Sequence, residues 1–175
     1  MTEPSPRNLF VEGDLSAGIL RKWWKGLQAD PKERDRMRCC GDPSNVMLSP
    51  EYQRLLGLLK EAGYDLDAGH SYAVAAVAGA VALVTLDTGP GASFARQMAQ
   101  PAPGGKKARV SGMRLDRLVA QQQREMAYLL LMPVMELLNG AVNLADMAHG
   151  LYRWDTNARK RWADEYYGVA ANAKK

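Results

Sequence analysis

The sequence contains few of the residues that bind metals or form disulfide bonds. Its only histidines are His70 and His149, and its only cysteines are the neighbours Cys39 and Cys40. A structural zinc site takes four such ligands at characteristic spacings, and the chain has none of these spacings. Adjacent thiols close only a strained ring, so we expect reduced cysteines in a cytoplasmic protein. The sequence therefore predicts neither a metal site nor a disulfide-stabilised secreted domain.

Long hydrophobic runs are missing as well. The apolar run Ala73–Leu86 has fourteen residues, whereas a helix needs about 20 to span a bilayer. The N-terminal segment Thr2–Asp14 is polar and lacks the apolar stretch of a signal peptide. We therefore expect no signal peptide and no membrane partner, and we predict that Ala73–Leu86 is a buried, alanine-rich core helix.

The sequence also lacks the alternation of apolar and polar residues that marks β-strands, and it is rich in helix signals. Asp30–Glu33 combines a cap, a first-turn proline and a capping-box glutamate. Ser49, Asn143 and Asp155 predict three further helix starts. Apolar residues recur at helical spacing after Asn143, at Leu144, Met147, Ala148, Leu151 and Trp154. The predicted fold class is all-α.

One segment clearly interrupts the helical pattern. Pro101–Gly105 combines prolines with glycines and is followed by two lysines. Such a composition stops a helix and marks a loop. We therefore predict two small helical domains joined by this loop. They are an N-terminal helical domain over residues 1–100 and a C-terminal helical bundle over 112–175, with a linker loop over 101–111.

The net charge of +4 is unevenly distributed along the chain. The segment Arg21–Arg38 has a charge of +4, and Arg96–Arg124, whose only acid is Asp116, has +6, which leaves −6 for the remaining residues. Separation of charge of this kind indicates a polyanionic partner such as a nucleic acid. We include Arg36 and Arg96, which lie in these two segments, among the candidate contacts.

The second basic segment predicts a helix with two different faces. Ser111 is a suitable cap for a helix from Gly112 onward. At 100° per residue, Arg114, Arg117 and Arg124 share an arc of about 80°. The opposite face is apolar and is predicted to face a core; its residues are Leu115, Leu118, Val119 and Met126.

Solvated helix faces normally mix both signs of charge, so a stripe of arginines without acids indicates phosphate binding. Lys106, Lys107 and Arg109 precede the helix on the loop and extend the basic surface. Together these residues predict a groove that follows a nucleic-acid backbone.

No pattern in the sequence indicates catalysis or a cofactor. Gly89–Ser93 is predicted to be a helix-ending turn rather than a nucleotide-binding loop. Asp164 and Glu165 are adjacent, so on a helix they point about 100° apart, and we expect them to be solvated. Trp162 has apolar neighbours at helical spacing and is predicted to lie in the core, whereas Trp24, beside basic residues, is open between core packing and base stacking.

Six segments of the sequence, taken in their order and spacing, resemble those of a known family. They are WWKGL (23–27), ADPKERDRMRCCGDP (29–43), AAVAGAVALV (75–84), FARQMA (94–99), VSGMRLDRLVA (110–120) and LLNGAVNLADMAHGLYRWDTNARKRWADEYY (137–167). Together they resemble the CasB family, the small subunit of the type I-E CRISPR surveillance complex, Cascade. The resemblance covers most of the chain.

This resemblance implies an all-α protein of two small helical domains without catalytic activity and without a cofactor. It implies four partners: the backbone subunits that carry the CRISPR RNA, a large subunit, a second copy of the chain and the displaced target DNA strand. It further implies that basic surface residues hold that strand and stabilise the R-loop, while base pairing with the guide RNA reads the sequence.

Position by position, the match to the family is incomplete. The arginines that match basic positions of the family are Arg38, Arg114, Arg117 and Arg159. Cys39 stands where the family is often basic, and Leu131–Pro133 stands where relatives carry an arginine. We therefore expect Lys106, Lys107 and Arg109 to contribute more of the binding in this chain.

Two other functions compete with this one. The chain is alternatively a helical scaffold protein that makes only protein–protein contacts in a ribonucleoprotein assembly. A small helical enzyme acting on nucleic acid is the other possibility, and the lack of a metal-ligand cluster in the sequence argues against it.

Overall fold

The computed structural model describes residues 4–173, so the outermost residues of the predicted domain ranges and of the polar N-terminal segment lie outside the described residues. The described chain is predominantly helical, as predicted, and contains two short strands. In order, the elements are α1 (Leu15–Ala29), α2 (Pro31–Arg38), α3 (Pro43–Met47), α4 (Pro50–Glu61), α5 (Ala68–Val81), β1 (Leu86–Asp87), α6 (Phe94–Ala99), α7 (Gly112–Val119), α8 (Arg124–Leu137), β2 (Ala141–Val142), α9 (Leu144–Arg153) and α10 (Thr156–Ala173).

The predicted helix starts are confirmed by side-chain caps. The Asp30 carboxylate accepts from the amide of Lys32 at 3.0 Å, and the Asn143 side chain accepts from the amide of Asp146 at 3.1 Å. Each cap satisfies an amide that has no partner inside its helix. The capping-box role of Glu33 is the exception, because its carboxylate pairs with Arg54 at 2.9 Å.

The strands β1 and β2 pair in parallel, with Leu86 opposite Ala141 and Asp87 opposite Val142. Strands of two residues are too short to show alternation in the sequence, which explains why they were not predicted. The turn Gly89–Ser93 consequently follows β1 and leads into α6, and does not end a helix.

Helix α5 is the central element of the core, as the apolar run predicted. It packs against α3, α8 and α9, and its residues from Ala73 to Val81 are buried. The helix ends earlier than predicted, since Leu86 lies in β1 and is 58% exposed. Within residues 4–173, no helix has both the length and the apolar character needed to cross a membrane.

Trp24, which the sequence left open, and Trp162, which it predicted to be buried, both lie in this core. Trp24 is buried and donates its indole N–H to the carbonyl of Val84 at 3.0 Å, so core packing is the correct interpretation. Trp162 is buried between Phe94 and Trp154, with ring centroids 5.0 Å and 5.2 Å away.

The packing crosses the predicted domain boundary. Buried residues of all parts of the described chain belong to one connected core, and α6, which precedes the 101–111 loop, packs mainly against α10. The division into two domains at this loop stays a prediction.

Candidate nucleic-acid interface

The loop that carries Lys106 and Lys107 is closed at its base by backbone hydrogen bonds. The amide of Arg109 donates to Gln100, and the amide of Val110 donates to Met98, both at 3.0 Å. Lys106 and Lys107 are exposed at the far side of this closed loop. The two lysines are therefore presented to solvent from a loop whose ends are held together.

Helix α7 has the two faces that its sequence predicts. Ser111 caps it by accepting from the amide of Arg114 at 3.3 Å. Leu115 and Leu118 are buried, whereas Arg114 and Arg117 are exposed. Helix α7 packs against α8 and α10, so its inner face is fixed by the core and its arginines point outward.

The single acid of this basic segment is held by a tyrosine of α10. The hydroxyl of Tyr167 donates to the carboxylate of Asp116 at 2.5 Å, and this hydrogen bond raises the pKa of Tyr167 to about 12. None of the ion pairs formed among residues 4–173 uses the basic residues of the same sequence segment, which are Arg96, Lys106, Lys107, Arg109, Arg114 and Arg117. Their charges are therefore not neutralised by a carboxylate within the described chain.

Arg124 does not belong to this surface, and its predicted place on the α7 stripe is wrong. Helix α7 ends at Val119, and Arg124 is the first residue of α8. Its guanidinium donates to the carbonyls of Leu151 at 2.9 Å and Tyr152 at 2.6 Å, where α9 ends. Arg124 is half-buried, and this burial lowers its pKa.

The same break changes the orientation of the residues that follow. Met126 was predicted to face the core but is 43% exposed, because α8 is a separate helix with its own direction. The interruption is stabilised from a distance, since the indole of Trp154 donates to the carbonyl of Gln121 at 2.9 Å.

Arg36 and Arg38 both make structural contacts at the end of α2. Arg36 Nη1 lies 3.3 Å from a carboxylate oxygen of Glu51, whose side chain is only 1% exposed. Arg38 donates to the carbonyl of Ala82 at 2.9 Å, and burial lowers its pKa. Glu51 is a buried carboxylate and Arg36 pairs with it, but the Arg36 side chain is itself 53% exposed and stays a predicted nucleic-acid contact.

Arg159 makes a contact within the protein, whereas Arg96 is exposed to solvent. Arg159 is half-buried and donates to the carbonyl of Val119, at the end of α7, at 3.2 Å. Arg96 is exposed on α6. The structure thus separates the candidates into six exposed or partly exposed cations on residues 96–117 and four arginines held by contacts within the protein.

Two kinds of comparison relate this fold to known proteins. The family described as CRISPR-associated protein Cse2 matches residues 36–167. A chain in the crystal structure of E. coli Cascade bound to a PAM-containing double-stranded DNA target has a similar fold, with a TM-score of 0.69 at 18% identity, covering 89% of this chain and 96% of that chain. A comparison with curated protein sequences gives no match.

The all-α fold and the family match define the class of the protein, which is that of the CRISPR-associated proteins. Because the match spans most of the sequence, the chain belongs to the CRISPR-associated protein Cse2 family. Cse2 and CasB are two names for the same family, so the resemblance to the CasB family is confirmed.

Proposed function

We propose that this protein is a non-catalytic, cytoplasmic subunit of the type I-E CRISPR Cascade complex that holds the displaced DNA strand. The observation that carries this proposal is the set of six cations on residues 96–117 that no carboxylate in residues 4–173 neutralises. Their only neighbouring acid in the segment, Asp116, is engaged by Tyr167. We refer to Arg96, Lys106, Lys107, Arg109, Arg114 and Arg117 as the strand surface.

The strand surface acts on phosphates and leaves the reading of bases to the guide RNA. Lysine and arginine side chains neutralise backbone phosphates and release counterions, a contribution that does not depend on sequence. Formation of an R-loop exchanges one duplex for another of similar stability, so a modest attraction for one strand shifts the balance. Stabilisation of the R-loop is the consequence we propose.

The partners within the assembly are the backbone subunits that carry the CRISPR RNA, the large subunit and a second copy of the chain. The residues outside the two basic segments Arg21–Arg38 and Arg96–Arg124 have a net charge of −6 and are available for contacts with basic protein surfaces. We expect the second copy to pair head to tail, with the acidic part of one copy facing the basic end of the other.

A second candidate function, a helical scaffold that makes only protein–protein contacts, is favoured by the outer side of α8. Met126, Leu129 and Leu137 are large apolar side chains that are each at least 41% exposed. Exposed apolar side chains of this kind are typical of protein interfaces. A pure scaffold would use the strand surface to contact acidic protein surfaces, whereas the first candidate uses it to contact phosphates.

The lifetime of the R-loop in the assembled complex distinguishes the two functions. The test compares Cascade reconstituted with the natural subunit and with the Arg114→Ala/Arg117→Ala variant, and it measures R-loop dissociation and bound guide RNA. We expect a shorter-lived R-loop with guide RNA binding unchanged. Equal lifetimes in a fully assembled complex would favour the scaffold.

A further inference from the structure

A cavity of about 450 Å³ lies outside the strand surface, where four separate parts of the chain meet. Arg7 comes from the N-terminal segment, and Asp67 and His70 come from the start of α5. Arg124 begins α8, while Arg153 ends α9. Three arginines that are distant in sequence therefore line one cavity together with a single carboxylate.

Arg124 is the residue of this cavity whose hydrogen bonds leave room for a ligand. Its Nε and Nη2 atoms donate to the carbonyls at the end of α9, and no hydrogen bond of Nη1 forms within residues 4–173. No carboxylate of the described chain forms an ion pair with it, although its guanidinium is half-buried, which lowers its pKa. Arg124 is half-buried and its Nη1 remains available, so an anion in the cavity would accept a charge-assisted hydrogen bond and offset part of the cost of this burial.

The remaining charges leave the cavity positive. The charge of Arg153 is balanced by Asp155, at 2.8 Å. Asp67 caps α5 by accepting from the amide of His70 at 2.8 Å and also lies 2.9 Å from the His70 ring. Arg7 is exposed and also lines the cavity. The single acid of the lining is thus already engaged by the helix start, whereas Arg7 and Arg124 are left to attract an anion.

We propose that this cavity binds one phosphate group. Guanidinium groups bind phosphate through charge-assisted hydrogen bonds, and Arg7 and Arg124 supply two of them to the same cavity from different segments of the chain. The group belongs either to a nucleic-acid backbone or to a free nucleotide, and the chemistry of recognition is the same for both. This site goes beyond the strand surface because it holds a single phosphate in a cavity.

Titration of the labelled protein with inorganic phosphate, followed by NMR at His70 and Tyr152, tests the proposal. Arg7→Ala removes an exposed side chain and should weaken binding about tenfold. Asp67→Asn keeps the helix cap but removes the only acid of the lining, and it should tighten binding about threefold. Lys25→Ala, a matched loss of an exposed charge on α1, should change nothing.

The same variants identify the source of the phosphate. If a single strand displaces inorganic phosphate and Arg7→Ala weakens both, the group is part of a backbone; if a mononucleotide displaces it and the strand does not, it is a free nucleotide. Arg117→Ala tests the strand surface and should leave phosphate binding in the cavity unchanged. Absence of any shift at His70 and Tyr152, or equal effects of Arg7→Ala and Lys25→Ala, would overturn the proposal.

Discussion

A single added methyl group on α5 tests the close contact between α5 and α8. A Cβ atom at Gly79 would lie 2.5 Å from the hydroxyl oxygen and 2.9 Å from a ring carbon of Tyr128. The Tyr128 ring is only 1% exposed, so it has little room to move. Gly79→Ala therefore forces the added methyl group and the buried Tyr128 ring into the same space, although the substitution adds only one carbon atom.

Two opposing effects set the change in the free energy of unfolding that Gly79→Ala causes. Overpacking of a core costs about 1–3 kcal/mol, whereas replacing glycine by alanine inside a helix gains about 1 kcal/mol. Gly26→Ala on α1 is the matched control, because nothing lies within 4 Å of its Cβ position. We expect the free energy of unfolding of Gly79→Ala to fall about 1–3 kcal/mol below that of Gly26→Ala.

Urea unfolding at equilibrium measures this difference. Tyr128→Phe removes the nearest atom but leaves the ring carbons, so combining it with Gly79→Ala should recover part of the loss. Gly79→Leu adds a larger side chain and should cost about 3 kcal/mol or more. If Gly79→Ala stabilises the protein as much as Gly26→Ala does, α5 and α8 are not in close contact and the reasoning is refuted.

Three further predictions concern charge. Arg21→Ala removes the hydrogen bonds to Glu12 and Asp87 and should lower the free energy of unfolding by about 1–2 kcal/mol, with strand binding unchanged in a titration. Burial alone raises the pKa of Asp87, but hydrogen bonds from Arg21 and two backbone amides outweigh it and lower the pKa. The stability that the lowered pKa of Asp87 contributes is complete above a pH of about 4 and is lost at lower pH. Acid titration should therefore destabilise Arg21→Ala less than the natural protein. An equal loss in both proteins would show that Arg21 does not stabilise the Asp87 carboxylate. Asp116→Asn removes the one acid in the sequence segment that carries the strand surface and should tighten single-strand binding about twofold by fluorescence anisotropy, whereas weaker binding would show that Asp116 positions α7. The free protein should self-associate weakly and in a salt-sensitive way, so a tight, salt-insensitive dimer in sedimentation would contradict head-to-tail pairing.

The helix starts and the central core helix were predictable because their signals are local. Asp30 and Asn143 cap amides two or three residues away, and Ala73–Val81 forms a continuous apolar run. Such patterns act within one or two helical turns, so the sequence around them contains the information.

The break between α7 and α8 was not predictable in this way. It lies at Gln121–Gln123, which contains neither glycine nor proline, and its stabilising contacts come from α9 and from Trp154. Helical spacing alone predicts one continuous helix through this segment, and such a helix would place Arg124 on the same face as Arg114 and Arg117.

The roles of Arg36 and Arg38 depend on distant residues for the same reason. Their partners, Glu51 and Ala82, lie in other helices or at a helix end. A charged segment shows how many cations are present, whereas only the tertiary structure shows which of them are already engaged.

The salt dependence of single-strand binding by the free protein tests the strand surface most directly. Six phosphate contacts imply a slope of log K against log salt near −4, at about −0.7 per contact. Arg117→Ala should flatten this slope by about 0.7 on every DNA sequence, whereas Lys22→Ala, which removes an exposed cation of α1, should leave it unchanged. Equal changes in slope from Arg117→Ala and Lys22→Ala, or a loss confined to one sequence, would contradict the account.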